Sequence, residues 1–201
     1  LFWPGYGINH HYMPPAVYHG ECNLAAPDAN LASDVLFVGS HNYHHEWPHR
    51  GQLIDWLKAT YAGRFRLVPG PGGDVYRGRD LNTLYASAKV VVGDSLVPGF
   101  THERYTSDRL FETLGRGGFL VYPRIKGITD GTLVTEGEHI AAWSFNDWGG
   151  LKRTIDYYLE NADEREKIRL AGHEHVKTFH TYRERLSEML RIVGAAEGWP
   201  A

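Results

Sequence analysis

Asp34-Val35-Leu36-Phe37-Val38-Gly39-Ser40 sets a short, uninterrupted apolar run against a Gly-Ser stop. With no polar residue alternating through it, the run fits a strand buried on both faces, as in a parallel sheet. Lys89-Val90-Val91-Val92-Gly93 repeats the pattern, residues 65–68 and 119–122 read as two more strands, and residues 138–143 suit one further short strand. The segments between them carry helical spacing. Leu53, Ile54, Trp56, Leu57 and Tyr61 form one set, with Pro48 near its start and Gly63 past its end. Leu81, Leu84, Tyr85 and Ala88 mark a short second helix, and residues 106–116 a third. The remainder is helical over 148–161, 163–178 and 182–193, with a break at Thr178-Phe179-His180-Thr181.

Strands and helices alternating at these intervals imply βαβ units and a mostly parallel sheet covered on both faces. Right-handed crossovers then predict an α/β, Rossmann-like layout with extra C-terminal helices. Ligands of such sheets sit outside the carboxyl ends of the strands, which singles out the loops after Val38, Val68, Val92 and Tyr122. No periodicity precedes Asp34, and the opening stretch is rich in Pro, Gly, His and Tyr. Residues 1–33 are therefore expected to be a linker or the remnant of a preceding domain, 34–195 the domain and 196–201 a tail.

The chain has 201 residues, 42% of them hydrophobic, enough for one domain with a real core. A formal net charge of −3 lacks the basic footprint of broad nucleic-acid or membrane-surface binding. A single cysteine, Cys22, excludes a disulfide framework and a Cys-rich metal site; it has no activating pattern nearby and is expected to be inert. No signal peptide or bilayer-length apolar run is seen, so a cytoplasmic location is expected.

Tyr105-Thr106-Ser107-Asp108-Arg109-Leu110-Phe111-Glu112-Thr113-Leu114-Gly115-Arg116-Gly117-Gly118 is the stretch richest in chemistry. Thr106 or Ser107 can cap the helix, leaving N–H groups at its start for a phosphate. Arg109 adds a planar cation suited to a diphosphate. Glu112, one turn on, can accept two hydrogen bonds from a ribose diol. The same charges can instead form i,i+3 and i,i+4 ion pairs on a solvated face, contributing about 0.2–0.5 kcal/mol each. Spacing leaves both readings open.

His41-Asn42-Tyr43-His44-His45-Glu46-Trp47-Pro48-His49-Arg50 holds four His and a Glu. Its spacing lacks a helical His-x-x-x-His face, so no metal site is expected. A cleft-lining loop, with a His or Arg50 near phosphates or acceptor, fits better. Pro69-Gly70-Pro71-Gly72-Gly73 lacks the Gly-Lys-Ser/Thr ending of a P-loop and reads as a tight turn. Lys126-Gly127-Ile128-Thr129-Asp130-Gly131 suits either a loop beside a sugar or an ordinary one. Tyr182-Arg183-Glu184-Arg185 reads as helix packing and ion pairs.

Ser107-Asp108-Arg109-Leu110-Phe111-Glu112-Thr113-Leu114-Gly115-Arg116-Gly117-Gly118 resembles the donor-domain motif of glycosyltransferases with the GT-B fold. Met13-Pro14-Pro15-Ala16-Val17 resembles the linker entering that domain, 34–40 its first strand and Gly loop, and 81–95 the segment before its nucleotide helix. Residues 157–185 resemble the C-terminal helices of the spore-maturation-protein-like branch of the group 1 enzymes. The resemblance spans about residues 12–193. It implies ribose binding at Glu112, diphosphate binding at Ser107, Asp108 (through its backbone) and Arg109, and approach of the donor phosphates at Gly39 and Ser40. Val75-Tyr76-Arg77-Gly78 resembles the segment flanking the nucleobase, placing Tyr76 and Arg77 there. Many retaining relatives carry a second Glu eight positions before the ribose Glu; here Arg104 stands there, beside Glu103.

The implied function is transfer of a sugar from a nucleotide-diphosphate sugar to an acceptor, with no cofactor beyond that donor. An N-terminal acceptor-binding domain is the implied partner, and nucleic acid enters only as an acceptor. This chain alone is expected to bind donor weakly and transfer little. The alternatives are a nucleotide-sugar epimerase of the same fold and a non-catalytic nucleotide-binding module.

Overall fold

The computed structural model describes residues 11–41, 48–70, 72–95 and 105–194. Its elements run β1 (Ser33–Val38), α1 (His49–Tyr61), β2 (Phe65–Val68), α2 (Gly78–Ser87), β3 (Ala88–Val92), α3 (Arg109–Gly115), β4 (Leu120–Pro123), β5 (Ala141–Trp143), α4 (Trp148–Glu160), α5 (Ala162–Phe179) and α6 (Tyr182–Ile192). The strands form one sheet in the order β2-β1-β3-β4-β5, and every pairing is parallel. This is the Rossmann-like α/β layout expected.

The apolar runs are continuous because each strand feeds two cores. Leu36, Val91, Leu120 and Tyr122 point into one, with Leu84, Leu110, Phe111 and Leu114 from α2 and α3 and Val176 from α5. Val35, Phe37, Val90, Val92, Phe119 and Val121 point into the other, against Leu53 and Leu57 of α1 and Leu151 and Ile155 of α4. Apolar burial of this kind contributes about 25 cal/mol per Å², and neither face could turn polar without losing one of the two layers.

The segment before β1 lies against the domain. Ala16, Val17 and Cys22 are buried, and Val17 pairs with Thr181 in a parallel bridge. Arg185 donates to the carbonyls of Pro14 and Pro15 and to Nδ1 of His180, so it pins this segment instead of forming the ion pairs expected around it. Burial pushes the Cys22 thiol up to about 11, which fits an inert cysteine.

Two boundaries differ from the expectation. Ala88 opens β3 instead of closing α2. Helix α3 begins at Arg109, with Asp108 as N-cap, and no side chain caps it. Thr106 is unavailable because its hydroxyl is buried against the Tyr122 hydroxyl, 3.1 Å away. The other end of α3 closes as read. Gly117 takes φ 81°, and Gly117 and Gly118 return hydrogen bonds to the carbonyls of Leu114 and Thr113, the Schellman arrangement in which glycine avoids the Cβ clash of a left-handed residue.

Candidate functional site

The strand order reverses direction between β1 and β3, so the switch-point crevice opens at their carboxyl ends. Gly39 and Ser40 follow β1 there, and Gly93, Asp94 and Ser95 follow β3. A cleft of about 500 Å³ lies at this point, lined by Ser40, Arg50, Thr106, Ser107, Asp108 and Arg109, with Pro15, Tyr105 and Tyr182 at its margin. The structure thus brings together five of the residues read from the sequence: Ser40, Arg50, Ser107, Asp108 and Arg109.

The centre of the arrangement is a residue the sequence reading passed over. Asp94 is 1% exposed; its Oδ2 accepts from Nε of Arg50 at 2.5 Å and its Oδ1 from Nη1 of Arg109 at 3.2 Å. Arg50 comes from the start of α1 and Arg109 from the start of α3, so the two guanidiniums reach one carboxylate from opposite sides of the sheet's end. Arg109 also stands over the Phe37 ring, 5.7 Å from its centroid. Two cations share Asp94, and among the described residues the exposed Asp108 is the further carboxylate lining the cleft.

Gly39 also makes room for a neighbouring side chain. Its N–H donates to the Val68 carbonyl at 2.6 Å, which uses the donor within the sheet. An added Cβ would stand 2.7 Å from Nη1 of Arg109, so the missing side chain makes room for the guanidinium.

Glu112, Tyr76 and Arg77 are not among the residues lining this cleft. Glu112 is half-buried on α3, one turn beyond Arg109. Burial first and the charge of Asp108 second hold its carboxyl above the usual range, against the pull of Arg116 and Arg109. Tyr76 packs against the core, and exposed Arg77 is the N-cap of α2.

Arg116 contradicts the solvated-face reading. It is 3% exposed, donates to Asn82 Oδ1 at 2.8 Å and the Gly78 carbonyl at 3.1 Å, and pairs with Glu21. It therefore ties the end of α3 to the start of α2. A recess of about 490 Å³ opens beside this network, between Glu21, Asn23, Gly78 and Asn82. The i,i+3 and i,i+4 pairs among Asp108, Arg109, Glu112 and Arg116 are not formed, because both arginines are drawn to carboxylates outside the helix.

Of the histidine-rich run, residues 42–47 lie outside the described residues, as do Glu103 and Arg104. His41 contacts Asp55 at 2.9 Å, and His49 Nε2 lies 2.9 Å from the Ser95 carbonyl. The loop after β4 is knit by Asp130, which accepts from the Gly127 and Thr132 amides, with Ile128 in the core. Among the described residues no helix is long and apolar enough to cross a membrane.

A parallel sheet with helices on both faces and its strand order reversing between β1 and β3 defines a Rossmann-like α/β domain. The chain belongs to the glycosyl transferase-like family, whose model matches residues 30–191. In fold it is similar to sucrose-phosphate synthase from Thermosynechococcus elongatus, at 15% identity and a TM-score of 0.61 over 93% of this chain and 53% of that one. It is likewise similar to a glycosyltransferase from Rickettsia africae, at 13% identity and a TM-score of 0.62 over 92% and 57%. This chain spans little more than half the length of either. It matches no curated protein. The Rossmann-like α/β fold and the glycosyltransferase resemblance are borne out.

Proposed function

We propose that this domain holds the nucleotide-diphosphate sugar of a glycosyl transfer. The observation that carries the reading is the gathering of Arg50 and Arg109 at the switch-point cleft, with half-buried Glu112 one turn further along α3. The diphosphate lies in the cleft against the two guanidiniums and the Ser40 and Ser107 hydroxyls. The nucleoside extends towards Glu112, whose carboxylate has no hydrogen-bond donor among the described residues and accepts from the ribose diol.

In the transfer, the bond between the anomeric carbon and the phosphate oxygen breaks and its electron pair passes to the diphosphate. An acceptor hydroxyl or amine bonds to that carbon and gives up a proton. The chain's contribution is to stabilise the charge developing on the leaving diphosphate, where fixed cations at a partly dry site are worth most, and to fix the anomeric carbon by anchoring the ribose. The acceptor and the base that takes its proton come from a second domain, which completes the cleft.

The test is calorimetry and thermal shift against UDP, GDP, ADP and TDP and their sugars, with Glu112→Gln alongside. One diphosphate should stabilise the chain selectively, and Glu112→Gln should weaken it by about tenfold, the order of losing hydrogen bonds to a charged acceptor. The variant itself should be no less stable at pH 7, since burial already disfavours the charge. Equal binding by the variant removes Glu112 from the site. No response to any nucleotide at millimolar concentration, in this chain or in a longer protein containing it, refutes the donor reading.

A further inference from the structure

Asp94 is a buried carboxylate that neither the motif nor the resemblance accounts for, and it stands at the carboxyl end of a central strand. Each of its oxygens is given to a different guanidinium, Arg50 on Oδ2 and Arg109 on Oδ1. The arginines belong to helices on opposite faces of the sheet, and Asp94 bridges them. An unrestrained arginine side chain carries substantial rotamer freedom, which a ligand must remove on binding. Here that freedom is already removed: Arg50 is 6% exposed, and Arg109 is wedged between Asp94, the Phe37 ring and the bare backbone of Gly39.

We infer that Asp94 is the positioning residue that holds Arg50 and Arg109 as a pair for the two phosphates of a diphosphate, and so confers preference for diphosphate over a single phosphate. The inference rests on the donor-cleft reading above. Asp94 does not touch the ligand. It opposes the ligand's charge, yet it helps binding because the order it imposes on two cations outweighs the repulsion it adds.

That balance makes the test discriminating, because positioning and simple charge predict opposite signs. Inorganic pyrophosphate and inorganic phosphate serve as probes that need no base identity. The chain and its Asp94→Asn and Asp94→Glu variants are titrated with each by calorimetry, and melts confirm that the variants are folded. The unaltered chain should prefer pyrophosphate. Asp94→Asn should weaken pyrophosphate by about tenfold, from ordering two rotamer-rich side chains on binding instead of before it, and should leave phosphate nearly unchanged. Asp94→Glu keeps the charge but moves it by one methylene, and should lose the preference too.

Tighter pyrophosphate binding by Asp94→Asn, or an unchanged ratio in both variants, overturns the inference and leaves the donor-cleft reading standing. Failure of the unaltered chain to bind pyrophosphate overturns that reading instead. If neither variant folds, the arginine Nε–Hε resonances of the unaltered chain decide. Two rigid, slowly exchanging signals from Arg50 and Arg109 without ligand support the positioning role, and averaged, rapidly exchanging ones overturn it.

Discussion

Replacing Gly39 by alanine tests how the cleft is held together. The new Cβ would stand 2.7 Å from Nη1 and 3.1 Å from Cζ and Nη2 of Arg109, and Gly39 has φ 153°. The obstructing atoms are the far end of a long side chain, so the guanidinium swings away while the sheet stays. Arg109 then loses its hydrogen bond to Asp94, at about 1 kcal/mol, and its place over Phe37, at about 0.5–1 kcal/mol. A non-glycine residue at that backbone angle adds roughly 1 kcal/mol of strain, the low end of the usual range. The sum is about 3 kcal/mol, which at this chain length lowers the melting midpoint by about 6–12 °C.

Pyrophosphate binding should fall by about tenfold at the same time, since one of the two cations has left its place. Circular dichroism melts and calorimetry measure the two effects separately. Gly63→Ala is the control: nothing lies within 4 Å of its added Cβ and its φ is unremarkable, so it should be neutral or gain about 0.4–1 kcal/mol. A Gly39→Ala protein that melts and binds like the unaltered chain would refute the argument that this glycine seats Arg109.

Arg116→Met strips a buried cation from Glu21, Asn82 and the Gly78 carbonyl; leaving these acceptors without their donor should cost about 1–3 kcal/mol in urea unfolding, since Glu21 is partly open to water, and a loss under about 0.5 kcal/mol would show that the network is not what joins α2 to α3. Acid should destabilise the fold before the carboxylates titrate. His139, His173 and His180 are all held below their ordinary 6.5, in each case chiefly by burial, and His180 lies at about 3 with the Arg185 charge as second cause. The unfolded chain therefore takes up protons that the folded one refuses, and stability present above about pH 6.5 declines as pH falls from there towards about 3. Urea midpoints at pH 7 and pH 5 measure this, and His180→Gln should flatten the slope; equal midpoints in the unaltered chain would show that these imidazoles are not excluded from charging.

The sheet was legible because its signal is local. β1, β3 and β4 carry contiguous apolar runs, which burial on both faces requires; β2, at the sheet's edge, admits Arg66 and is only half-buried, and β5 is the weakest run, which the structure trims to Ala141–Trp143. The helices were legible from spacing for the same reason, and Gly117-Gly118 announced the end of α3. Boundaries failed where a distant partner intervened: Thr106 looks like a cap in sequence, but the Tyr122 hydroxyl holds its side chain. The candidate site divided in the same way. The carboxyl-end rule picked the loops after Val38 and Val92, and Ser40, Arg50, Ser107, Asp108 and Arg109 do meet there. Asp94 stood in plain view after Val90-Val91-Val92-Gly93, at an address the rule had already named.

Periodicity and residue type therefore carried the layering and the family, because a strand or helix states which faces it must bury within a few residues of chain. The pairing of charges belonged to the tertiary structure alone. Whether Arg109 and Arg116 look to their own helix or away from it depends on which carboxylates the fold delivers from elsewhere. Asp94 lies 15 residues from Arg109 and Glu21 lies 95 from Arg116. At such separations a Coulomb partner is chosen by how the layers stack, and buried charges take the partner that the low-dielectric interior places beside them.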